Sequence, residues 1–215
     1  LLDNSSSSWG SCQTTPDKFE LTMYEMGLCT SDPISGSAGS KVWDKSTCVT
    51  TMIDSSGVTV DLAPGSSSSK TASLPSAETR PPSGRYTHAF ILLSNVFGLK
   101  GSYTLDGTRY YSTPGIDQQD NTPYGKPVAG NAAAQDHTDI VDNVGESPYE
   151  MEMSPIAFPA TQGGGKVSAI LLKDCDHIAN QCIGTSPKAA SASEAKRIFA
   201  VFETNAGDPV VISDD

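Results

Sequence analysis

Strict alternation of apolar and polar side chains in one segment, Lys18 to Met23, constrains the fold of this chain more than any other feature. The apolar positions are Phe19, Leu21 and Met23, and the polar positions are Lys18, Glu20 and Thr22. Successive side chains of a β-strand point to opposite faces, so this period of two predicts a strand with one buried face.

Six further segments have the composition of strands and are bounded by Gly, Pro, Ser or Asp clusters. They are Cys48 to Ile53, Val58 to Leu62, Tyr86 to Phe97, Tyr149 to Met153, Lys166 to Leu172 and Arg197 to Thr204. Charged residues make up only 18% of the chain, which holds 19 Gly and 14 Pro, a balance typical of short strands joined by turns. We therefore predict an all-β fold, either an antiparallel β-sandwich or a jelly roll, with long loops and little helix; a closed barrel is the alternative.

The dipeptide Asp106-Gly107 predicts a tight hairpin. Strand-like segments flank it, Ser102 to Leu105 before it and Thr108 to Tyr111 after it. Two-residue hairpin loops favour this dipeptide because both central positions need a positive φ.

Between the strands, the sequence predicts long loops and two short helices. Residues 63–84 are rich in Ser and Pro and predict a long surface loop, and Pro114 to Asn131 predicts a second irregular segment. Lys188 to Lys196 is rich in Ala and predicts two helical turns, with one or two more in Asp136 to Asn143.

The chain divides into an arm and a domain. Residues 1–11 contain a run of four serines and few apolar residues, namely Leu1, Leu2 and Trp9. This composition predicts a flexible N-terminal arm, followed by a single β-sandwich domain over residues 12–215. Because the chain starts at Leu1 and not at Met, we interpret it as a processed form from which a signal was removed.

The charge of the chain makes nucleic acid an unexpected partner. The formal net charge is −11 and the sequence pI is about 4.6, so phosphate backbones and anionic membrane surfaces would repel it. The longest apolar runs are also far shorter than the roughly 20 residues that a membrane-spanning helix needs. We expect no membrane span.

Five cysteines lie among Ser-rich and Thr-rich sequence, which favours an oxidising, extracellular location, either secreted or on the cell surface. By analogy with disulfide-stapled secreted domains, we expect one bridge between Cys29 and Cys48 and a second between Cys175 and Cys182. Cys12 is then left over: it is free, it is paired with another subunit, or the expected pairing of the other four cysteines is wrong.

Catalysis receives little support from the sequence. The histidines are His88, His137 and His177, and no G-x-S-x-G nucleophile motif is present. His88 lies within a predicted strand, where a hydrogen-bonded structural histidine is the more common case. Gly163 to Lys166 resembles a phosphate-binding loop but lacks the Ser or Thr that should follow the lysine. We expect the protein not to be an enzyme.

Acidic residues suggest calcium as the one cofactor to consider. Asp136, Asp139 and Asp142 recur every three residues, and Asp174 and Asp176 form a second group. Carboxylate oxygens suit calcium, and we take Asp136, Asp139, Asp174 and Asp176 as candidate ligands. A solvated acidic face is the simpler interpretation of the same residues.

Several aromatic residues could stack against sugar rings, so a glycan is a possible partner. They are Trp43, Tyr103, Tyr110, Tyr111 and Tyr124. Aromatic residues on strands more often belong to the core or to cross-strand pairs, which is the interpretation we favour.

Both ends of the chain have features suited to self-assembly. The N-terminal arm could add to the sheet edge of a neighbouring molecule, and Pro209 to Ile212 forms a short apolar segment before an acidic end. In layout, the start LLDNSSSSW and the following KFELTMYEMGL resemble secreted β-sandwich fibre subunits of the camelysin and TasA type or the cannula type. The resemblance implies linkage by donated strands and, in some members, calcium binding.

The leading hypothesis is therefore a self-assembling extracellular structural protein, the subunit of a filament, pilus-like fibre, tube or coat, with copies of itself as partners. A secreted module that binds glycans or a cell surface is the first alternative. A secreted hydrolase is the second, and it would need a histidine close in space to a nucleophile or an acidic partner.

Overall fold

A computed structural model provides the coordinates. It describes residues 2–3, 11–12, 15–37, 39–63, 79–105, 107–118, 133–144, 151–157, 164–174, 188–205 and 208–214.

The fold is all-β, as the sequence predicted. The first nine strands are β1 (Leu2–Asp3), β2 (Ser11–Cys12), β3 (Lys18–Cys29), β4 (Ile34–Ser35), β5 (Val42–Trp43), β6 (Cys48–Asp61), β7 (Gly84–Tyr86), β8 (His88–Ser94) and β9 (Val96–Lys100). The others are β10 (Ser102–Leu105), β11 (Thr108–Tyr111), β12 (Gly115–Gln118), β13 (His137–Ile140), β14 (Glu152–Ala157), β15 (Lys166–Leu172), β16 (Arg197–Glu203) and β17 (Val210–Ile212). Helical structure in the described residues is limited to one 3-10 turn, Ala192–Glu194, and no helix there is long and apolar enough to span a membrane.

Several predicted strands are confirmed, and two of them merge. The alternation that begins at Lys18 continues through β3 to Cys29. The segments around Cys48 and Val58 form the single strand β6. Their predicted break at Asp54 to Gly57 is a local irregularity in which Oδ1 of Asp54 accepts hydrogen bonds from the backbone N–H groups of Ser56 and Gly57 at 2.8 and 3.0 Å.

The long strand predicted from Tyr86 to Phe97 is divided into β7, β8 and β9. At Thr87, the first break, the backbone N–H donates to the carbonyl of Cys29 at 3.0 Å. At Asn95, the second break, the buried side chain donates to the carbonyl of Ala195 at 3.1 Å. Both breaks thus coincide with hydrogen bonds to other segments of the chain.

Both predicted helices are wrong. Residues 137–140, inside the predicted helix Asp136 to Asn143, form β13, in which His137 and Asp139 are buried and alternate with Thr138 and Ile140. In the segment 188–196, Lys188 forms a β-bridge with Leu172 and only the 3-10 turn is helical. Pairing with neighbouring strands overrides the helix propensity of Ala in this segment. The segment 114–131, predicted as irregular, contains strand β12.

The chain forms two compact units, each built from three stretches of sequence. The first unit comprises Leu1–Leu21, Thr59–Ser73 and Val96–Val141. In it β12 pairs with β13 in parallel, β13 pairs with β9 in antiparallel orientation, and β9 pairs with the beginning of β3. Phe19 and Phe97 stack with ring centroids 5.8 Å apart. The predicted hairpin is also confirmed here: β10 pairs with β11, and Gly107 has φ of 76°.

The second unit comprises Thr22–Val58, Leu74–Asn95 and Asp142–Asp215. Its antiparallel ladders join the end of β3 to β8, β8 to β16, β16 to β15 and β15 to β14. Its core contains Trp43, which is 1% exposed and stacks on Phe199 with ring centroids 3.8 Å apart. The core interpretation of Trp43 is thus confirmed.

Candidate functional site

The C-terminal strand β17 is the candidate assembly element. It pairs with β7 in a short antiparallel ladder that places Val210 opposite Tyr86, Val211 opposite Arg85 and Ile212 opposite Gly84. These two strands form a sheet of their own, and the described part of the chain gives β17 no other ladder partner. The predicted terminal strand therefore exists, and it is paired within its own molecule.

Two contacts hold the residues that follow β17. Nη2 of Arg80 donates a hydrogen bond to the carbonyl of Ser213, and the hydroxyl of Ser83 donates to the carboxylate of Asp214. The second contact is a charge-assisted hydrogen bond, which is stronger than one between neutral groups. The segment before β7 thus carries a donor for each of the two residues after β17.

The apolar side chains of β17 face solvent to an unusual degree for a strand. Val211 is 59% exposed and Val210 is 41% exposed. Its attachment therefore depends on backbone pairing and end contacts more than on burial of apolar surface.

Strand β14 is a second edge, but its own residues oppose pairing. Among the described strands it pairs with β15 alone. Pro155 lacks an N–H group, and the ladder changes register between Met153 and Ile156. Proline and bulges are the usual devices that prevent edge-to-edge association, although Ile156 is 55% exposed.

Glu152 fixes β14 to two other segments. Its carboxylate accepts hydrogen bonds from the backbone N–H of Gly39 at 2.8 Å and of Lys41 at 3.0 Å, and from the ammonium group of Lys188. Burial opposes ionisation of this carboxyl group, but the bond from Lys188 and that from Gly39 together outweigh burial and hold the pKa of Glu152 below its ordinary value. This cluster is structural.

Strands β1 and β2, at the two ends of the predicted N-terminal arm, pair with each other. Leu2 pairs with Cys12, and Asp3 pairs with Ser11. Of the predicted arm residues, Leu1 and Trp9 lie outside the described residues, and Leu2 and Cys12 are described through their backbone alone.

The disulfide between Cys29 and Cys48 is present, as the sequence predicted. Cys29 is completely buried in the core of the second unit. Cys175 and Cys182 lie outside the described residues, so their pairing stays a prediction.

The candidate calcium ligands are placed in different surroundings. Asp136 is exposed and bonds to Lys18 at 3.2 Å, whereas Asp139 is buried. Asp174 is exposed and forms an ion pair with Arg197 at 2.9 Å, and Asp176 lies outside the described residues. Asp142 accepts a hydrogen bond from the side chain of Asn143. Among the described side chains, no group of three or more His, Cys, Asp or Glu residues could hold a metal ion.

The histidines and tyrosines singled out in the sequence have identifiable local partners. His88 bonds through Nδ1 to the hydroxyl of Thr87 at 2.9 Å. Tyr103 and Tyr110 stack across the β10–β11 hairpin with ring centroids 5.2 Å apart, and both are half-buried. Arg109 lies 5.5 Å from the ring centroid of Tyr111. His177 and Tyr124 lie outside the described residues.

Two buried polar arrangements were not predicted from the sequence. Glu25 is completely buried and bonds to Lys45, and His137 is buried beside β12. The burial of Glu25 could have been predicted from the sequence, because the alternation of β3 places this residue on the same face as Leu21 and Met23. The burial of His137 in a strand could have been predicted from the same period of two, together with the β-branched residues Thr138 and Ile140.

No protein-family model, no curated protein and no solved structure matches this chain.

Proposed function

We propose that this protein is a non-enzymatic extracellular structural subunit that assembles with copies of itself by exchanging strand β17. The observation that carries the proposal is the pairing of a terminal strand by a three-residue ladder to β7 while its Val211 side chain stays 59% exposed. In the assembly, β17 of one molecule occupies the same position beside β7 of the next. The cysteine content and the buried Cys29–Cys48 disulfide support an extracellular location.

The energetics of exchange favour assembly over an isolated open form. A backbone hydrogen bond contributes only about 1 kcal/mol net, so release of β17 from its own β7 costs a few such bonds and the two end contacts. Pairing with the next molecule restores all of them in the same register. A head-to-tail contact of this kind gives a filament unless its rotation closes a ring.

The acceptor side and the end of the donor strand differ in charge. Arg80 and Arg85 lie on the acceptor side, and Asp214 lies beyond β17. The acceptor side and the end of the donor thus carry charges of opposite sign, which favours their approach in a chain whose net charge of −11 otherwise disfavours self-association.

Truncation and a matched pair of substitutions test this proposal. Deletion of residues 209–215 and the Val211→Arg substitution should both leave a folded monomer that forms no filaments. Ile156→Arg is the control, because Ile156 on β14 is equally exposed at 55% but lies on an edge that contains Pro155. Sedimentation velocity and negative-stain electron microscopy of the full-length protein report the outcome.

Undiminished assembly after the deletion would overturn strand β17 as the linking element. Deletion of residues 1–11 then tests the N-terminal arm as the donated strand. Dispersed monomers of the full-length protein at every concentration would overturn self-assembly itself.

Glycan binding is the second candidate, and the stacked pair Tyr103 and Tyr110 favours it. Consecutive strand residues point to opposite faces, so Tyr111 on the other face of the hairpin is a matched control. If the pair binds sugar rings, Tyr110→Ala should abolish retention on a glycan array and Tyr111→Ala should not. An array without signal for the intact protein would contradict this function.

A further inference from the structure

Two peptide bonds in this chain join aspartate to proline, Asp32–Pro33 and Asp208–Pro209. In such a bond the aspartate carboxylate lies beside its own backbone carbonyl, and the leaving group is the nitrogen of a tertiary amide. A carboxylate can act as a nucleophile, and its fixed closeness to the carbonyl carbon favours an intramolecular attack. The fold places the two bonds in different environments.

The Asp32–Pro33 bond is protected by its surroundings. Pro33 is less than 2% exposed, so water has little access to its nitrogen in the folded protein. Oδ1 of Asp32 accepts a hydrogen bond from the backbone N–H of Ile34 at 2.8 Å. The carbonyl of Pro33 accepts another from the backbone N–H of Asp44 at 2.9 Å. These contacts fix both the carboxylate and the proline.

The Asp208–Pro209 bond is open to solvent. Asp208 is exposed and Pro209 is half-buried. The backbone N–H of Asp208 donates to the carbonyl of Asn205 at 2.9 Å, and within the described residues the Asp208 carboxylate accepts no hydrogen bond. The bond lies directly before strand β17, whose ladder begins at Val210. An unheld carboxylate, a proline leaving group and access to water therefore coincide at this position.

We propose that Asp208 cleaves its own peptide bond to Pro209 and so separates strand β17 from the rest of the chain. A lone pair on a carboxylate oxygen of Asp208 attacks the backbone carbonyl carbon of the same residue, which gives a cyclic anhydride. The electron pair of the C–N bond stays on the nitrogen of Pro209, which takes a proton from solvent; acid therefore promotes the step. Water then opens the anhydride. The net reaction consumes one water molecule and yields a chain that ends at Asp208 and a free peptide of residues 209–215.

Cleavage removes the covalent tether that keeps β17 beside β7. The strand is then held by its three-residue ladder and by the contacts of Ser213 and Asp214, while Val211 stays 59% exposed. A tether supplies a high effective concentration, so its loss allows the peptide to diffuse away. This consequence for assembly rests on the proposed exchange of β17, whereas the cleavage itself does not.

Intact-mass spectrometry of the full-length protein tests the cleavage, at the lowest pH at which circular dichroism shows the protein folded. The protein should lose the peptide of residues 209–215. Cleavage at Asp208–Pro209 should be at least about tenfold faster than at Asp32–Pro33, because a buried bond reacts only in the few molecules in which it has opened. In denaturant, where both bonds are open, the two rates should become similar. Asp208→Asn should abolish the product, whereas the matched control Asp32→Asn should not.

Four results would each overturn the site: no cleavage at Asp208–Pro209, equal rates at the two bonds in the folded protein, a rate ratio unchanged in denaturant, or a product that survives Asp208→Asn. Cleaved protein freed of the peptide should form no filaments in negative-stain electron microscopy. Filaments from fully cleaved protein would overturn the exchange of β17, whereas the mass measurement alone decides the cleavage.

Discussion

The carboxylate of Glu25 is completely buried and bonds through both oxygens to the ammonium group of Lys45, at 2.8 and 3.0 Å. The hydroxyl of Thr50 donates a further hydrogen bond to the same carboxylate at 2.6 Å. Nζ of Lys45 also lies 5.5 Å from the ring centroid of Trp43. The buried face of strand β3, which the sequence pattern describes as apolar, thus contains one member of an ion pair, Glu25, and Lys45 reaches it from the segment between β5 and β6.

Removal of Lys45 should be strongly destabilising, because it leaves the Glu25 charge buried without a counterion. We expect Lys45→Ala to lower the free energy of unfolding by about 3 to 5 kcal/mol, measured by urea denaturation. Lys166→Ala is the control: its ion pair with Glu203 is exposed and should contribute less than about 1 kcal/mol. A loss for Lys45→Ala as small as that of the control would contradict this account of the pair.

Loss of the Cys29–Cys48 disulfide should lower the free energy of unfolding, because the unfolded chain gains conformational entropy when the bridge is absent. The cysteines are 19 residues apart, and a loop of that length corresponds to about 3 kcal/mol of stabilisation. Denaturation measures the free energy of unfolding of the oxidised protein and of the Cys29→Ala/Cys48→Ala variant. Peptide mapping without reductant identifies which cysteines are bridged. A map that joins Cys29 to any other cysteine would refute the pairing.

Glu152 should make stability depend on pH in the acidic range. Its lowered pKa means that the folded protein binds fewer protons than the unfolded chain near pH 4. The resulting stabilisation is complete above the ordinary carboxyl pKa of about 4.5 and is lost as pH falls through the lower folded pKa. The difference in unfolding free energy between the wild type and Glu152→Gln should therefore be largest at neutral pH and should shrink below about pH 4.5. A difference that stays constant or widens on acidification would contradict the role of the Lys188 and Gly39 bonds.

Gly27 should tolerate no side chain. A Cβ atom there would lie 2.3 Å from the carbonyl oxygen of Val49 and 2.6 Å from Cε1 of Phe90, so Gly27→Ala should cost about 1 to 3 kcal/mol through overpacking. Gly101→Ala is the matched control, because its nearest neighbour would be the Cα of Pro16 at 3.4 Å. Thermal unfolding measures both, and equal melting temperatures would contradict the tight packing at Gly27.

The sequence correctly predicted the elements that depend on patterns among neighbouring residues. The strand from Lys18 and the hairpin at Gly107 follow from alternation and from turn chemistry, and both are confirmed. The helices predicted at 136–143 and 188–196 were wrong because pairing with distant strands decides those segments, and a local propensity contains no information about such partners.

The candidate sites were predicted less well for the same reason. The terminal strand at Val210 was visible in the sequence, but its partner β7 lies more than a hundred residues earlier in the chain. Glu25 and Lys45 are 20 residues apart, and only the fold shows that one neutralises the other. Asp136, predicted as a metal ligand, instead pairs with Lys18, which is 118 residues away.

A cysteine pair across β7 and β17 tests the central claim, strand exchange, most directly. Arg85 and Val211 are register partners, and paired strand positions have Cα separations that a disulfide can bridge. The Arg85→Cys/Val211→Cys variant, oxidised as a dilute monomer, should be locked with β17 on its own β7; it should stay monomeric until reductant restores assembly. Oxidised after assembly, the same variant should give covalent chains of subunits on a gel without reductant. Assembly of the locked monomer at the rate of the reduced protein would contradict exchange of β17.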